Sequence, residues 1–266
     1  MIRAFSLGLA AASALAASPA LAQDDEEPPR ILSVGAGGQL LPQYPGADDY
    51  SLGPLFTGFV RREGDPIPFR TPDDGIGIGL LGRDSVVDFG PLIQFQGERD
   101  EDDVGAAVGD VDFTVEAGAF VNFNISPNFR LRLEGQKGLG GHEGLVGTVA
   151  ADFALRGGND TLFTIGPRLR LNDDDYAQAY FGVTPAVALA TGLPVYDPDG
   201  GIRAVGAVAG ITHQISRSFG FYGYAGYDRL VGDAADSPIV RTFGSRDQFS
   251  AGVALFISFS LGDAFR

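Results

Sequence analysis

Hydrophobic and polar residues alternate with a period of two along most of this chain. Near the C-terminus Phe249, Ala251, Val253, Leu255, Ile257 and Phe259 take the odd positions, while Ser250, Gly252, Ala254, Phe256 and Ser258 take the even ones. Successive side chains of a strand point to opposite faces, so one face here is wholly apolar and the other mostly small or polar. Val111, Phe113, Val115, Ala117, Ala119, Val121, Phe123 and Ile125 likewise oppose Asp112, Thr114, Glu116, Gly118, Phe120, Asn122 and Asn124. Phe129, Leu131 and Leu133 oppose Arg130, Arg132 and Glu134, and Phe163, Ile165, Leu169 and Leu171 oppose Thr164, Arg168 and Arg170.

Read along its length, the pattern predicts about twelve strands. They fall at 31–40, 52–61, 67–81, 86–96, 111–125, 129–136, 145–155, 162–171, 176–183, 202–214, 219–230 and 248–259. Turn-forming residues separate several of them, at 126–128, 156–160 and 172–175. Gly53-Pro54, Gly90-Pro91 and Gly166-Pro167 lie inside strand patterns. Proline cannot donate to a ladder, so these pairs predict bulges or bends.

The first residues read as a secretory signal: Arg3, an apolar stretch from Ala4 to Ala17, and a small-x-small site at Ala20-Leu21-Ala22. This predicts a signal peptide over 1–22, an acidic stub over 23–30 and one barrel over 31–266. The apolar stretch falls short of the roughly 20 residues that a membrane helix needs. A soluble β-sandwich would show the same alternation with its apolar face turned inward. Many alternating segments on an exported chain instead fit an all-β fold, a transmembrane antiparallel β-barrel of about 12 strands (range about 10–14) in the outer membrane.

With both termini periplasmic, short periplasmic turns alternate with longer outer loops. Residues 126–128 and 216–218 look like periplasmic turns, and 98–109 and 232–246 like outer loops. Twelve strands cannot give all four their sides, which points to a miscounted strand near 62–81 and another near 184–201.

Charge and chemistry narrow the function classes. A formal net charge of −15 argues against nucleic acid, whose phosphates need a basic patch. Cysteine is absent, which excludes disulfides and an N-terminal lipid anchor on Cys. The histidines are His142, in a Gly-rich turn, and His213, near a strand end. No metal-ligand spacing, nucleophile elbow or phosphate loop accompanies them, so no catalytic residue, metal or cofactor is expected.

Glu116, Arg132, Asp152 and Arg168 fall on the polar faces of four successive predicted strands and form a candidate lumen charge cluster. Such a cluster either pairs internally and stiffens a filled barrel or forms a charged constriction; pairing is the commoner arrangement. Tyr222, Tyr224, Tyr227, Phe219 and Phe221 crowd one strand, as an interfacial girdle or as interior packing. Between the last two strands, Asp233, Asp236 and Ser237 form a candidate loop site, with Pro238 fixing the return.

Three stretches resemble the MipA/OmpV family of outer-membrane proteins. Pro42-Gln43-Tyr44-Pro45-Gly46, with Tyr50 and Pro54, resembles that family's Pro-x-Tyr-x-Gly opening. Residues 176–183 look like its central strand, followed by Gly192-Leu193-Pro194-Val195-Tyr196 and Gly200-Gly201. Leu230-Val231-Gly232-Asp233-Ala234-Ala235-Asp236-Ser237-Pro238-Ile239-Val240 resembles its C-terminal signature. Barrels of this kind usually finish on an aromatic residue, leaving Phe259 or Phe265 as the assembly signal. The resemblance implies a non-enzymatic scaffold that brings a lytic transglycosylase together with a penicillin-binding protein for peptidoglycan remodelling. The alternative is a narrow diffusion channel for small solutes.

Overall fold

A computed structural model describes residues 28–82 and 85–261. The predicted signal peptide and its cleavage site lie outside the described residues, as does Phe265. The chain forms β1 (Arg30–Pro42), β2 (Tyr50–Arg62), the two-residue β3 (Ile76–Gly77), β4 (Val87–Gln96), β5 (Thr114–Ser126), β6 (Phe129–Gly140) and β7 (Leu145–Arg156). It continues with β8 (Thr161–Asn172), β9 (Gly201–Ser216), β10 (Phe219–Leu230) and β11 (Asp247–Ser260). Among the described residues five short helices lie in the connections: α1 (Glu101–Val104), α2 (Asp174–Phe181), α3 (Pro185–Thr191), α4 (Gly232–Asp236) and α5 (Pro238–Phe243). No described helix is long and apolar enough to cross a membrane.

All eleven strands join one antiparallel sheet in the order β2-β1-β11-β10-β9-β8-β7-β6-β5-β4-β3. The first and last long strands pair directly, from Ile31↔Ser260 to Leu40↔Ala251. The alternation sets the faces of this curled wall. Val253, Leu255 and Ile257 are 70%, 57% and 57% exposed on its outside, whereas Ala254, Phe256 and Ser258 between them are buried. The fold class is therefore the all-β antiparallel barrel wall that the periodicity implies, with eleven strands inside the expected range.

One predicted strand is a helix and another shrinks to the two residues of β3, and without them as full strands the alternation of turns and loops is restored. Residues 176–183 belong to helix α2, whose buried residues are Tyr176, Ala177, Tyr180 and Phe181. Their spacing is helical, and the Asp173 side chain caps the helix by accepting from the Tyr176 N–H. The acidic run at 172–175, read as a turn, is thus a helix start. Over 67–81 only Ile76 and Gly77 are paired as strand. The preceding residues fold into the barrel.

With these changes the tight turns at 127–128, 157–160 and 217–218 share one end of the barrel with the Arg30 end of β1 and the Ser260 end of β11. The connections 97–113, 173–200 and 231–246 share the other end. Chain direction alone requires this in an antiparallel sheet.

The Gly-Pro pairs also depart from expectation, because none shifts the register. Gly38↔Pro54, Pro91↔Ala119 and Pro167↔Ala207 are in line with their neighbours. The β7–β8 ladder skips Gly166 and Pro167 and resumes in the same register at Ala150↔Arg168 and Phe153↔Ile165. Proline here removes ladder bonds without inserting a residue. Register shifts occur instead at Phe219/Gly220, Asn124/Ser126 and Arg170/Leu171. On β10 the aromatic residues divide between the two readings. Tyr222 and Tyr224 pair with Ala254 and Gly252 of the buried face, while Phe219, Phe221 and Tyr227 pair with the outward Ile257, Leu255 and Phe249.

Candidate functional site

The interior is built around the segment 65–75, which leaves β2 at the terminal end and crosses inside the wall. Pro68 and Pro72 prevent it from joining a ladder. Ile67 is buried with Ala154 and Leu162, and Phe59 and Phe69 pack against that cluster. The Ile67 N–H donates to the Asn159 carbonyl, and Arg156 donates to the Ile67 carbonyl at 2.6 Å. Farther in, Thr71 closes a turn on Asp74 through its N–H at 3.1 Å and its hydroxyl at 2.6 Å.

That turn delivers Asp73 and Asp74 to the arginines of β6 and β8. Arg130 contacts Asp74 at 2.9 Å and Asp152 at 2.7 Å. Arg132 approaches Asp74 at 3.4 Å and also pairs with Glu134. Arg168 grips Asp73 with two nitrogens at 2.8 Å and reaches Asp152 at 2.7 Å. Arg170 joins Asp73 at 3.0 Å to Asp228 at 3.1 Å. The side chains of Arg130, Arg132, Asp74, Asp152 and Arg168 are at most 7% exposed. The Arg130 and Arg132 guanidinium groups also lie over the Phe69 and Phe120 rings.

Of the four residues in the candidate lumen cluster, Arg132, Asp152 and Arg168 belong to this network. Glu116 does not. It sits nearer the loop end, where its Oε1 lies 3.1 Å from His142 Nε2. The Gly144 N–H donates to His142 Nδ1, so the ring proton is on Nε2 and points at Glu116. Sequence reasoning placed Arg130 and Arg170 on the polar face but missed Asp73 and Asp74, which tie the arginines together. Their signal was the turn sequence Thr71-Pro72-Asp73-Asp74-Gly75 inside a stretch read as strand.

The inserted segment fits because β9 offers a glycine. A Cβ on Gly210 would stand 2.7 Å from Pro72 Cγ. Gly210→Ala should therefore push the segment off β9 and destabilise the barrel by about 1–3 kcal/mol, the usual cost of overpacking. The temperature at which the folded form loses its anomalous gel mobility measures this. An unchanged temperature would mean that Pro72 is not held against β9.

The loop end is closed by a folded cap. One apolar cluster joins Tyr176, Tyr180 and Phe181 of α2 to Leu230, Ala234, Ala235 and Val240. A second joins Tyr44 and Ala47 to Val104, Val108, Val183 and Ile239. Gly46 turns with φ +97, and a Cβ there would meet Val240 at 2.9 Å. Burial pushes the Tyr176 hydroxyl up to about 12 against the lowering effect of Arg203, and raises Tyr180 as well.

In the candidate loop site, Ser237 donates to the Phe181 carbonyl at 2.7 Å and caps α5. Asp233 accepts the Asp199 N–H at 2.9 Å, and its carbonyl accepts the Tyr196 hydroxyl at 3.0 Å. Asp236 accepts from Arg241 and Arg246 at the surface. Asp233 and Ser237 thus tie the cap together, while Asp236 lies at its rim.

The family model described as MltA-interacting protein MipA matches residues 34–259. The chain belongs to this family. It is an outer-membrane β-barrel, and the MipA match spans the strands from β1 to β11 and the whole cap. No curated protein matches the chain. Solved structures similar to it include an outer membrane channel from Pseudomonas putida F1, at 9% identity and TM-score 0.43, covering 90% of this chain and 100% of that one. Neisserial surface protein A gives 8% identity and TM-score 0.28, covering 86% and 97% of the two chains. OprG from Pseudomonas aeruginosa gives 8% and 0.29, covering 88% and 97%.

Proposed function

We propose that this MipA-family barrel is a non-conducting, non-enzymatic scaffold of the outer membrane. It would hold a lytic transglycosylase, the partner that the family description points to, next to a penicillin-binding protein at the peptidoglycan-facing side. The observation that carries this reading is the buried network of Asp73, Asp74 and Asp152 with the arginines of β6 and β8. Ions need a continuous wet path, and a lumen crossed by a chain segment and dry ion pairs does not supply one. With the termini periplasmic, the tight turns and the start of the inserted segment form the surface that faces peptidoglycan.

The test has two arms. The purified full-length protein in a planar bilayer should give no steady conductance steps, and it should capture a purified lytic transglycosylase from solution. Steady steps without capture would establish the diffusion-channel alternative and overturn the scaffold.

A further inference from the structure

The barrel wall is incomplete at one place. β2 pairs with β1 and β4 pairs with β5, yet among the described residues β2 has no ladder with β3 or β4. The residues that fill this seam run beside β4 from Phe89 to Ile93. Ile76 pairs with Ile93, Ile78 donates to the Pro91 carbonyl and Leu80 to the Phe89 carbonyl. Beyond Ile93, toward the loop end, β4 continues to Gln96 with no described strand between it and the Tyr50 end of β2. No ladder closes the wall between these two strand ends among the described residues, which leaves a lateral window.

The window opens onto a chamber. A cavity of 470 Å³ is lined by Ser51 from β2 and Gln94, Phe95 and Gln96 from β4 on the seam side. Arg170 and Arg203 line it on the opposite wall. Arg170 is neutralised by Asp73 and Asp228. Arg203 is different. It is the extra residue at the β8–β9 register shift, where Arg170 pairs with Ala204 and Leu171 with Ile202. A bulge re-aims a side chain, and this one turns Arg203 inward. Its guanidinium lies over the Tyr176 ring and donates to the Tyr176 hydroxyl, and no carboxylate pairs with it among the described residues. Its buried Nε has no hydrogen-bond partner.

The geometry points to a binding site for an amphipathic anion. The carboxylate or phosphate head lies in the chamber on Arg203, and the apolar chain passes out through the window between β2 and β4 into the membrane. Leu52 at 84% and Phe95 at 50% exposed flank the window on its lipid side and suit such a chain. A cavity of this size accommodates a head group and the first carbons of its chain. The site needs no through-pore, so it stands whether or not the lumen conducts.

Native mass spectrometry of the purified full-length protein, released from a neutral detergent, tests this with dodecanoate, dodecyl phosphate, dodecanol and acetate as probes. Dodecanoate or dodecyl phosphate should bind at least about tenfold more tightly than either dodecanol or acetate, since one charge-assisted contact supplies roughly that factor. The stronger of the two anions identifies the head group. Arg203→Gln should remove the preference for the anion while dodecanol binding persists. Ser51→Trp, at the window and remote from Arg203, should weaken the long-chain anion alone. Equal binding of dodecanoate and dodecanol by the wild-type protein would overturn the site without any variant. Acetate binding as tightly as dodecanoate would overturn the window.

Discussion

Asp152→Ala should destabilise the folded barrel by about 1–3 kcal/mol, the cost of leaving buried Arg130 and Arg168 donors without the acceptor they share. Asp152 is fully buried on β7 and stands between Arg130 and Arg168, each 2.7 Å away. Its loss leaves Arg130 with Asp74 and Arg168 with Asp73, both on the inserted segment. The substitution therefore weakens the wall and the segment together. Asp236→Ala is the matched control. It removes a carboxylate from Arg241 and Arg246, but there both partners are more than a third exposed, so about 0–1 kcal/mol is expected. Urea titration in detergent, read by the anomalous gel mobility of the folded form, compares the two. Equal midpoints would mean that water reaches the Asp152 network and that the lumen is not dry.

The same network shows what the sequence could and could not reveal. Arg132, Asp152 and Arg168 were legible as lumen-facing because strand parity is enforced by lipid on the other side. Their acidic partners Asp73 and Asp74 were not, because nothing local requires a connection between strands to turn inward. Its Ile76-Gly77-Ile78 run alternates like a strand, and Pro72 marks only a turn. Glu116 shared the right face but lies closer to the loop end than Arg132, which pairs with Asn122 rather than with it. Parity gives the face and leaves the height to the register.

The cap was the least legible part, for a related reason. Tyr176 to Val183 contains Tyr, Phe and Val, which favour strands in isolation. Burial of Tyr176 and Tyr180 on one side of a capped turn decides for the helix instead. The stretches that resemble the MipA/OmpV family converge here. Gly46, Phe181 and Val240 meet around one close contact, and Ser237 reaches the Phe181 carbonyl. Three stretches far apart in the chain thus meet where the loop end closes.

Val253→Arg and Leu255→Arg should each cost about 2–4 kcal/mol if these residues lie near the bilayer midplane. They are 70% and 57% exposed in the middle of β11, and in a bilayer that exposed surface faces hydrocarbon. Ser250→Thr on the opposite face should stay within about 0.5 kcal/mol, as for a surface change that removes no contact. Gly252 is no such control, although it shares that face. A Cβ there would stand 2.6 Å from Tyr224 and 2.9 Å from Leu55, so even Gly252→Ala crowds the interior. Folding yield into lipid vesicles as a function of urea ranks the four variants. Arginine variants should fold only at lower urea than Ser250→Thr, and Gly252→Ala should fall between them. If Val253→Arg folds as readily as Ser250→Thr, the outward face of β11 is not in contact with lipid. Because β1 and β11 pair through Gly38↔Val253 and Ala36↔Leu255, that result would also move the junction between the first and last strands out of the membrane.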